Sequence, residues 1–255
     1  MFIQTTRLLA AALLAAIAFA VPAARAQSPA PTGDSFTPHQ REEIVAILRH
    51  ALQADPTILR DAIAALQTDE AHQQDAAARS VIAGSEEALL HKSGDPTAGN
   101  PNGDVTVVEF YDVRCPYCRS MLPVMAEMLK RDHNVRLVFK DIPILGPGSV
   151  VAAKAVLAAQ HQGAFLRLHD ALMTGTPNID QEVVHAAALR LGLDWDRLQR
   201  DMADPAIQAR IDANLKMAHA LQIDGTPAYV IGDRLLSGAV EISELQGAVA
   251  AARQK

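Results

Sequence analysis

The sequence predicts an α/β fold in which a block of helices is inserted between two halves of one sheet. Three observations carry that prediction: apolar, β-branched runs at residues 105–112 and 135–139, a helical pattern throughout residues 148–221, and a closing hairpin at residues 229–231 and 235–237 about Gly232-Asp233. Strands thus bracket the helices, and 255 residues suffice for such a domain with its own core and an additional element.

Taken in order, the first element is a leader. Residues 1–7 carry one base, Arg7, and no acid; residues 8–21 are an unbroken apolar stretch; Ala24-Arg25-Ala26 offers small residues where a signal peptidase reads them. The stretch is short for a membrane span, a single arginine precedes it, and no cysteine stands near the cleavage point for a lipid anchor. A signal peptide at residues 1–26 is expected, with export into an oxidising space. Residues 27–35, QSPAPTGDS, form a flexible spacer. From residue 36 the pattern is helical. Ile44, Ile47, Leu48, Ala51 and Leu52 make one apolar stripe, Asp55-Pro56 reads as a cap followed by a first-turn proline, and Ile58, Leu59, Ala62, Ile63 and Leu66 make a second stripe. Residues 68–90 are polar and Ala-rich, as in an extended, mostly exposed helix. A striped helix says only that something covers it. The faces of this segment, residues 36–86, either fold back on the following domain or meet copies of themselves.

The domain that follows is expected over residues 87–255. Residues 94–104 are rich in turn formers and match no phosphate-binding spacing, so they read as hairpin turns before the first strand. Residues 116–130 are helical by pattern and precede the second strand. The helical block is interrupted at Gly163, Gly175, Gly192 and Pro205, with Asp180, Asp194 and Asp204 placed as caps. Residues 241–252 form the last helix. The formal charge of −6 gives no reason to expect a nucleic acid partner. No run beyond the leader is long and apolar enough to cross a bilayer.

The chain holds two cysteines, Cys115 and Cys118, three residues apart at the start of a helix. Proline suits the first helical turn, and a helix N-terminus favours an anion, so the thiolate of Cys115 is favoured over its thiol. Cys118, one turn on, is placed to attack a mixed disulfide formed at Cys115. A structural zinc site wants four ligands, and neither a second cysteine pair nor closely spaced histidines supply them. Copper(I) held by the two thiolates remains open, since soft ligands suit it. Glu109 stands inside the apolar strand. It either alternates outward or is buried near Cys118 as a proton acceptor with a raised pKa. Gly225-Thr226-Pro227 is either an ordinary turn or a cis-proline that presents a backbone edge to a substrate.

These separated features resemble one family. Glu109 with Cys115-Pro116-Tyr117-Cys118, Pro123 five residues past the second cysteine, and Thr226-Pro227 are similar to the active site of the thioredoxin fold. Residues 139–146, FKDIPILG, with Ser149 and Ala152-Ala153, resemble a segment of the DsbA family, whose helical insertion matches residues 148–221. The resemblance implies a thioredoxin fold with an inserted helical domain, preceded here by an N-terminal helical segment. It also implies that Cys115 forms the mixed disulfide, that Cys118 resolves it, that Pro116 and Tyr117 tune the potential, and that Thr226 and Pro227 contact the bound peptide. No cofactor is expected beyond the redox-active Cys115–Cys118 disulfide.

The housekeeping oxidase of the family carries Pro-His between its cysteines and Val before its cis-proline. Pro116-Tyr117 and Thr226 look more like the isomerases and reductases. Residues 36–40, FTPHQ, and Ala54-Asp55-Pro56 resemble the leading segment of ScsC-like and Com1-like proteins. In some of these the segment is a trimerisation stalk and the trimer a disulfide isomerase linked to copper tolerance; others are monomeric. The resemblance therefore implies a periplasmic isomerase or reductase, homo-oligomeric and, as in some ScsC-like proteins, trimeric, acting on exported proteins and kept reduced by an ScsB- or DsbD-like membrane partner. The alternatives are a monomeric DsbA-like oxidase served by a DsbB-like oxidant, and a copper(I)-binding or holdase protein.

Overall fold

In the computed structural model of the chain, residues 36–91 and 93–254 are described. The expected leader at residues 1–26 and spacer at residues 27–35 lie outside the described residues. Two compact units divide at Asp61 and Ala62. In the first lies α1 (Pro38–Ala54), opened by a capping box in which the Thr37 side chain accepts from the Gln40 backbone at 3.3 Å and the Gln40 side chain accepts from Thr37 at 2.9 Å. No residue of α1 is buried, and Ile44, Ile47, Leu48 and Leu52 form its exposed stripe. Asp55 accepts from the Thr57 amide at 3.0 Å, which caps α2 (Thr57–Gly84).

The sequence places a boundary after residue 86, but the units divide at Asp61, inside α2. The reason lies in the last three turns of that helix, where Ala78 and Ile82 are buried and Ile82 joins an apolar cluster with Leu89. Residues 68–90 are also not one exposed helix. α2 ends at Gly84, and a short π-helical turn, Glu87–His91, follows and buries Leu89.

The second unit is built on one sheet. Its strands are β1 (Thr97–Gly99), β2 (Val105–Tyr111), β3 (Val135–Asp141), β4 (Ala228–Ile231) and β5 (Arg234–Ser237), in the order β1-β3-β2-β4-β5. β2 runs parallel to β3; the other pairings are antiparallel. β1 falls in the stretch read from sequence as turns only. It is three residues long, lies on the edge and contains Gly99 at φ +72°, where an added Cβ would meet the Val135 carbonyl, so no apolar alternation marks it.

β2 is the central strand and is covered on both faces, so its apolar run is continuous apart from Thr106 and Glu109. Val105, Val107 and Tyr111 face a core shared with α3 (Pro116–Arg131), α4 (Pro147–Ala159) and α5 (Phe165–Thr174). Val108 and Phe110 face a second core with Ile82, Leu89, Ala218 and Leu221. On that second face Lys140 is buried, donates to the Ala88 carbonyl at 2.8 Å and pairs with Asp95, which pins the π-helical turn to β3. The inserted block comprises α4, α5, α6 (Gln181–Arg190), α7 (Trp195–Met202) and α8 (Pro205–Ala220), and α9 (Ile242–Ala252) closes the chain. Asp180, Asp194 and Asp204 are N-caps, each accepting a backbone N–H of its helix.

Candidate active site

The site forms where β2 ends and α3 begins. Tyr111 completes the strand. Asp112 then ties the turn together: its carboxylate accepts from the Arg114 backbone at 2.8 Å and from the amides of Ile144 and Leu145 at 2.9 and 3.0 Å. Cys115 follows as the N-cap residue of α3 in extended conformation (φ −65°, ψ 122°), with Pro116 in the first turn. No side chain caps this helix end, so its free N–H groups favour negative charge at Cys115. The Cys115 thiol donates to the Thr226 carbonyl at 3.2 Å, across 111 residues of sequence. The Thr226–Pro227 bond is cis. The cis-proline loop is thus against the first cysteine.

Cys115 is 5 % exposed and Cys118 is fully buried. Tyr117, between them, is 64 % exposed and available to a partner. Burial pushes the Cys118 thiol far up, and the charges of Cys115 and Glu109 push it the same way. Left alone, Cys118 is therefore a poor nucleophile and needs a proton acceptor.

Glu109 stands inward, not outward. It is 5 % exposed, and burial raises its pKa to about 7, against a smaller downward effect of the Tyr229 hydroxyl, which donates to Oε1 at 3.3 Å. Near neutrality it is poised between carboxylate and acid, as a proton acceptor for a buried thiol must be. Tyr229 escapes sequence reasoning because it lies 120 residues away; only the antiparallel register Glu109↔Tyr229 brings it in.

A second buried acid also lies on this face. Asp141 pairs with Tyr111 in the parallel register, two residues from the Glu109↔Phe139 pair. Neither of its carboxyl oxygens is hydrogen-bonded, and the Tyr111 hydroxyl faces it outside hydrogen-bonding geometry. Burial pushes the Asp141 carboxyl well above the usual carboxylate range, and the neighbouring Asp112 and Glu109 charges push it the same way. Beside Thr226, within the second unit, a cavity of about 1110 Å³ opens, lined by Ile142, Ile144, Leu221, Ile223 and Leu235 among others. Among the described residues, no group of three or more His, Cys, Asp or Glu could hold a metal ion.

The arrangement can do thiol–disulfide exchange. It offers one sulfur at a helix N-terminus, nearly buried at 5 % exposure, a second sulfur fully buried one turn on, a carboxylate that titrates near 7, and a backbone carbonyl at the reacting atom. Residues 106–250 match the family model of the DSBA-like thioredoxin domain. A thioredoxin-like oxidoreductase from Silicibacter pomeroyi is 44 % identical, covers 66 % of this chain and 98 % of its own, and superposes with a TM-score of 0.65. ScsC of Proteus mirabilis, in a transitional conformation, is 29 % identical, covers 88 % of this chain and 99 % of its own, and gives 0.63. A Na⁺/H⁺ antiporter, NhaA 1, of Salinispora arenicola is 34 % identical over 160 residues, 62 % of this chain. That match spans 24 % of the antiporter's length.

Proposed function

Because the chain belongs to the DSBA-like thioredoxin family and is a thiol-disulfide oxidoreductase of DsbA type, we propose that it is a periplasmic disulfide isomerase or reductase that works as an oligomer. Export rests on the leader read at residues 1–26. The isomerase direction is supported by one observation above others: the apolar stripe of the first unit, where Ile47, Leu48 and Leu59 are 67, 56 and 55 % exposed. A surface of that kind calls for a covering partner. Likeness to ScsC of Proteus mirabilis over 88 % of the chain favours a second copy of this chain. Pro116-Tyr117 and Thr226 in place of Pro-His and Val support the same direction.

In this reading the Cys115 thiolate attacks one sulfur of a wrong substrate disulfide. A mixed disulfide forms and one substrate thiolate leaves. That thiolate attacks another disulfide within the substrate, and the rearrangement ends by releasing Cys115 as thiolate, with no net oxidation. When the complex stalls, Cys118 passes its proton to the Glu109 carboxylate and attacks the Cys115 sulfur. The substrate leaves reduced, and a Cys115–Cys118 disulfide remains. A membrane reductant then returns two electrons and two protons. In this reading the cavity beside Thr226 takes the extended peptide next to the reacting cysteine, with Pro227 and the exposed Tyr117 contacting it.

Reactivation of scrambled ribonuclease tests this. The full chain is expected to reactivate the enzyme, and a chain carrying Ile47→Glu, Leu48→Glu and Leu59→Glu is expected to exchange thiols yet fail to reactivate. Equal reactivation by both removes assembly from the account. Rapid oxidation of a reduced peptide by both, with reactivation by neither, makes the protein a dithiol oxidase. Tight copper(I) binding with no exchange makes it a copper protein.

A further inference from the structure

Two arginines converge on the start of α3. Arg119, one turn beyond Cys115, donates Nε to the Val113 carbonyl at 3.0 Å, Nη1 to Gly175 at 2.8 Å, and Nη2 to Leu172 at 2.8 Å and Thr176 at 3.1 Å. Arg114 donates Nε to Pro177 at 3.0 Å and Nη1 to Leu145 at 2.6 Å. Every one of these partners is a carbonyl oxygen, so neither positive charge is cancelled through these bonds by a carboxylate. The two guanidiniums are close enough to repel one another, and burial with that repulsion lowers the Arg119 pKa.

Leu172 belongs to the last turn of α5, and Gly175 and Thr176 follow it directly. The C-terminal carbonyls of a helix have no partners within it and carry a net negative field. Here the carbonyls of Leu172, Gly175 and Thr176 converge on one guanidinium. The negative end of α5 thus abuts the N-terminus of α3, where Cys115 must carry its own negative charge. Arg119 stands between them. Its Nε holds the chain two residues before Cys115, and its backbone N–H donates to the Cys115 carbonyl at 3.0 Å.

We propose that Arg119, assisted by Arg114, is a positioning and charge-screening residue of the redox centre: it caps the C-terminus of α5, so that the field of those carbonyls does not oppose the Cys115 thiolate. The two arginines bring positive charge to the start of α3 from the helix-insertion side. This inference rests on the exchange reaction described above. It assigns part of the reduction potential to two residues that touch no substrate.

The test is the equilibrium of the full chain with reduced and oxidised glutathione, read as the fraction of Cys115–Cys118 disulfide. Losing the cation destabilises the reduced, thiolate-bearing form. Arg119→Met is therefore expected to raise the oxidised-to-reduced ratio at a fixed glutathione poise by about tenfold. Arg119→Lys keeps the charge but loses the fork, so it should stay within about threefold of the unmodified chain while melting at lower temperature. Arg114→Met should shift the ratio in the same direction by a smaller factor, which keeps the test alive should Arg119→Met not fold. An unchanged ratio in both Met variants, with only the melting temperature lowered, overturns the proposal and leaves the arginines structural. A Lys variant shifted as far as the Met variant overturns the charge argument. A wild-type chain that does not equilibrate with glutathione at all overturns the exchange reading itself, and this proposal with it.

Discussion

Glu109 ionises near neutrality because burial opposes its charge, and two measurements follow from that at the residue scale. The first concerns stability. A carboxylate whose folded pKa lies above its unfolded value holds its proton in the native state after the unfolded chain has lost it. The charge-linked penalty of its burial is therefore absent below the ordinary glutamate value of 4.5, and it grows as pH rises to about 7. Glu109→Gln should stabilise the reduced protein at pH 8 by an amount on the order of 3 kcal/mol and have little effect at pH 4, as read by denaturant unfolding at the two pH values. The second concerns rate. Release of a Cys115 mixed disulfide should speed up as pH rises through about 7 in the wild type, and Glu109→Gln should flatten that profile and slow release by about 10²-fold, in stopped-flow measurements. Glu109 could be picked out from sequence because a carboxylate inside VTVVEFY needs a reason to be there. Asp141 and Tyr229 could not, since each is ordinary in its own segment and only strand register sets Asp141 against Tyr111 and Tyr229 against Glu109.

At the scale of elements, the two parts of the N-terminal segment differ in physical role. Along α1 and the start of α2 the apolar residues are exposed, whereas Ala78 and Ile82 near the end of α2 are each 6 % exposed. Ile82→Ala should destabilise the protein by about 2–4 kcal/mol through lost packing and the cavity left behind. Leu48→Ala in dilute protein should change stability by less than about 0.5 kcal/mol. Thermal unfolding of the two variants at low concentration checks both. The contrast also explains why the helical insertion was legible and the segment boundary was not. Asp180, Asp194 and Asp204 announce their helices through local capping chemistry, which acts within three residues. The burial of Ile82 depends on Leu89, Val108 and Leu221, brought together only by the fold. β1 was missed for the same reason, because an edge strand of three residues has too little pattern to read. The clamp of Arg119 on the end of α5 is likewise invisible in sequence, since arginine after a cysteine pair signals nothing until the carbonyls of residues 172, 175 and 176 arrive beside it.

For the whole molecule, the proposed function joins one redox centre to the exposed apolar stripe of the first unit: exchange belongs to the centre, and isomerisation is proposed to need assembly through the stripe. Sedimentation of the full chain should give a species larger than one subunit, reduced toward a monomer by Ile47→Glu with Leu48→Glu. The redox centre is the more basic claim, and one measurement tests it most directly. Reduced Cys118→Ser protein is mixed with a peptide disulfide, quenched with acid, and mapped by mass spectrometry beside the unaltered chain. The account predicts a peptide adduct on Cys115 that persists in the variant. In the unaltered chain the same adduct should be transient and give way to a Cys115–Cys118 disulfide. An adduct on Cys118 of the unaltered chain, or an adduct on Cys115 that its neighbour never resolves, would contradict the assignment of attacking and resolving sulfurs on which the mechanism stands.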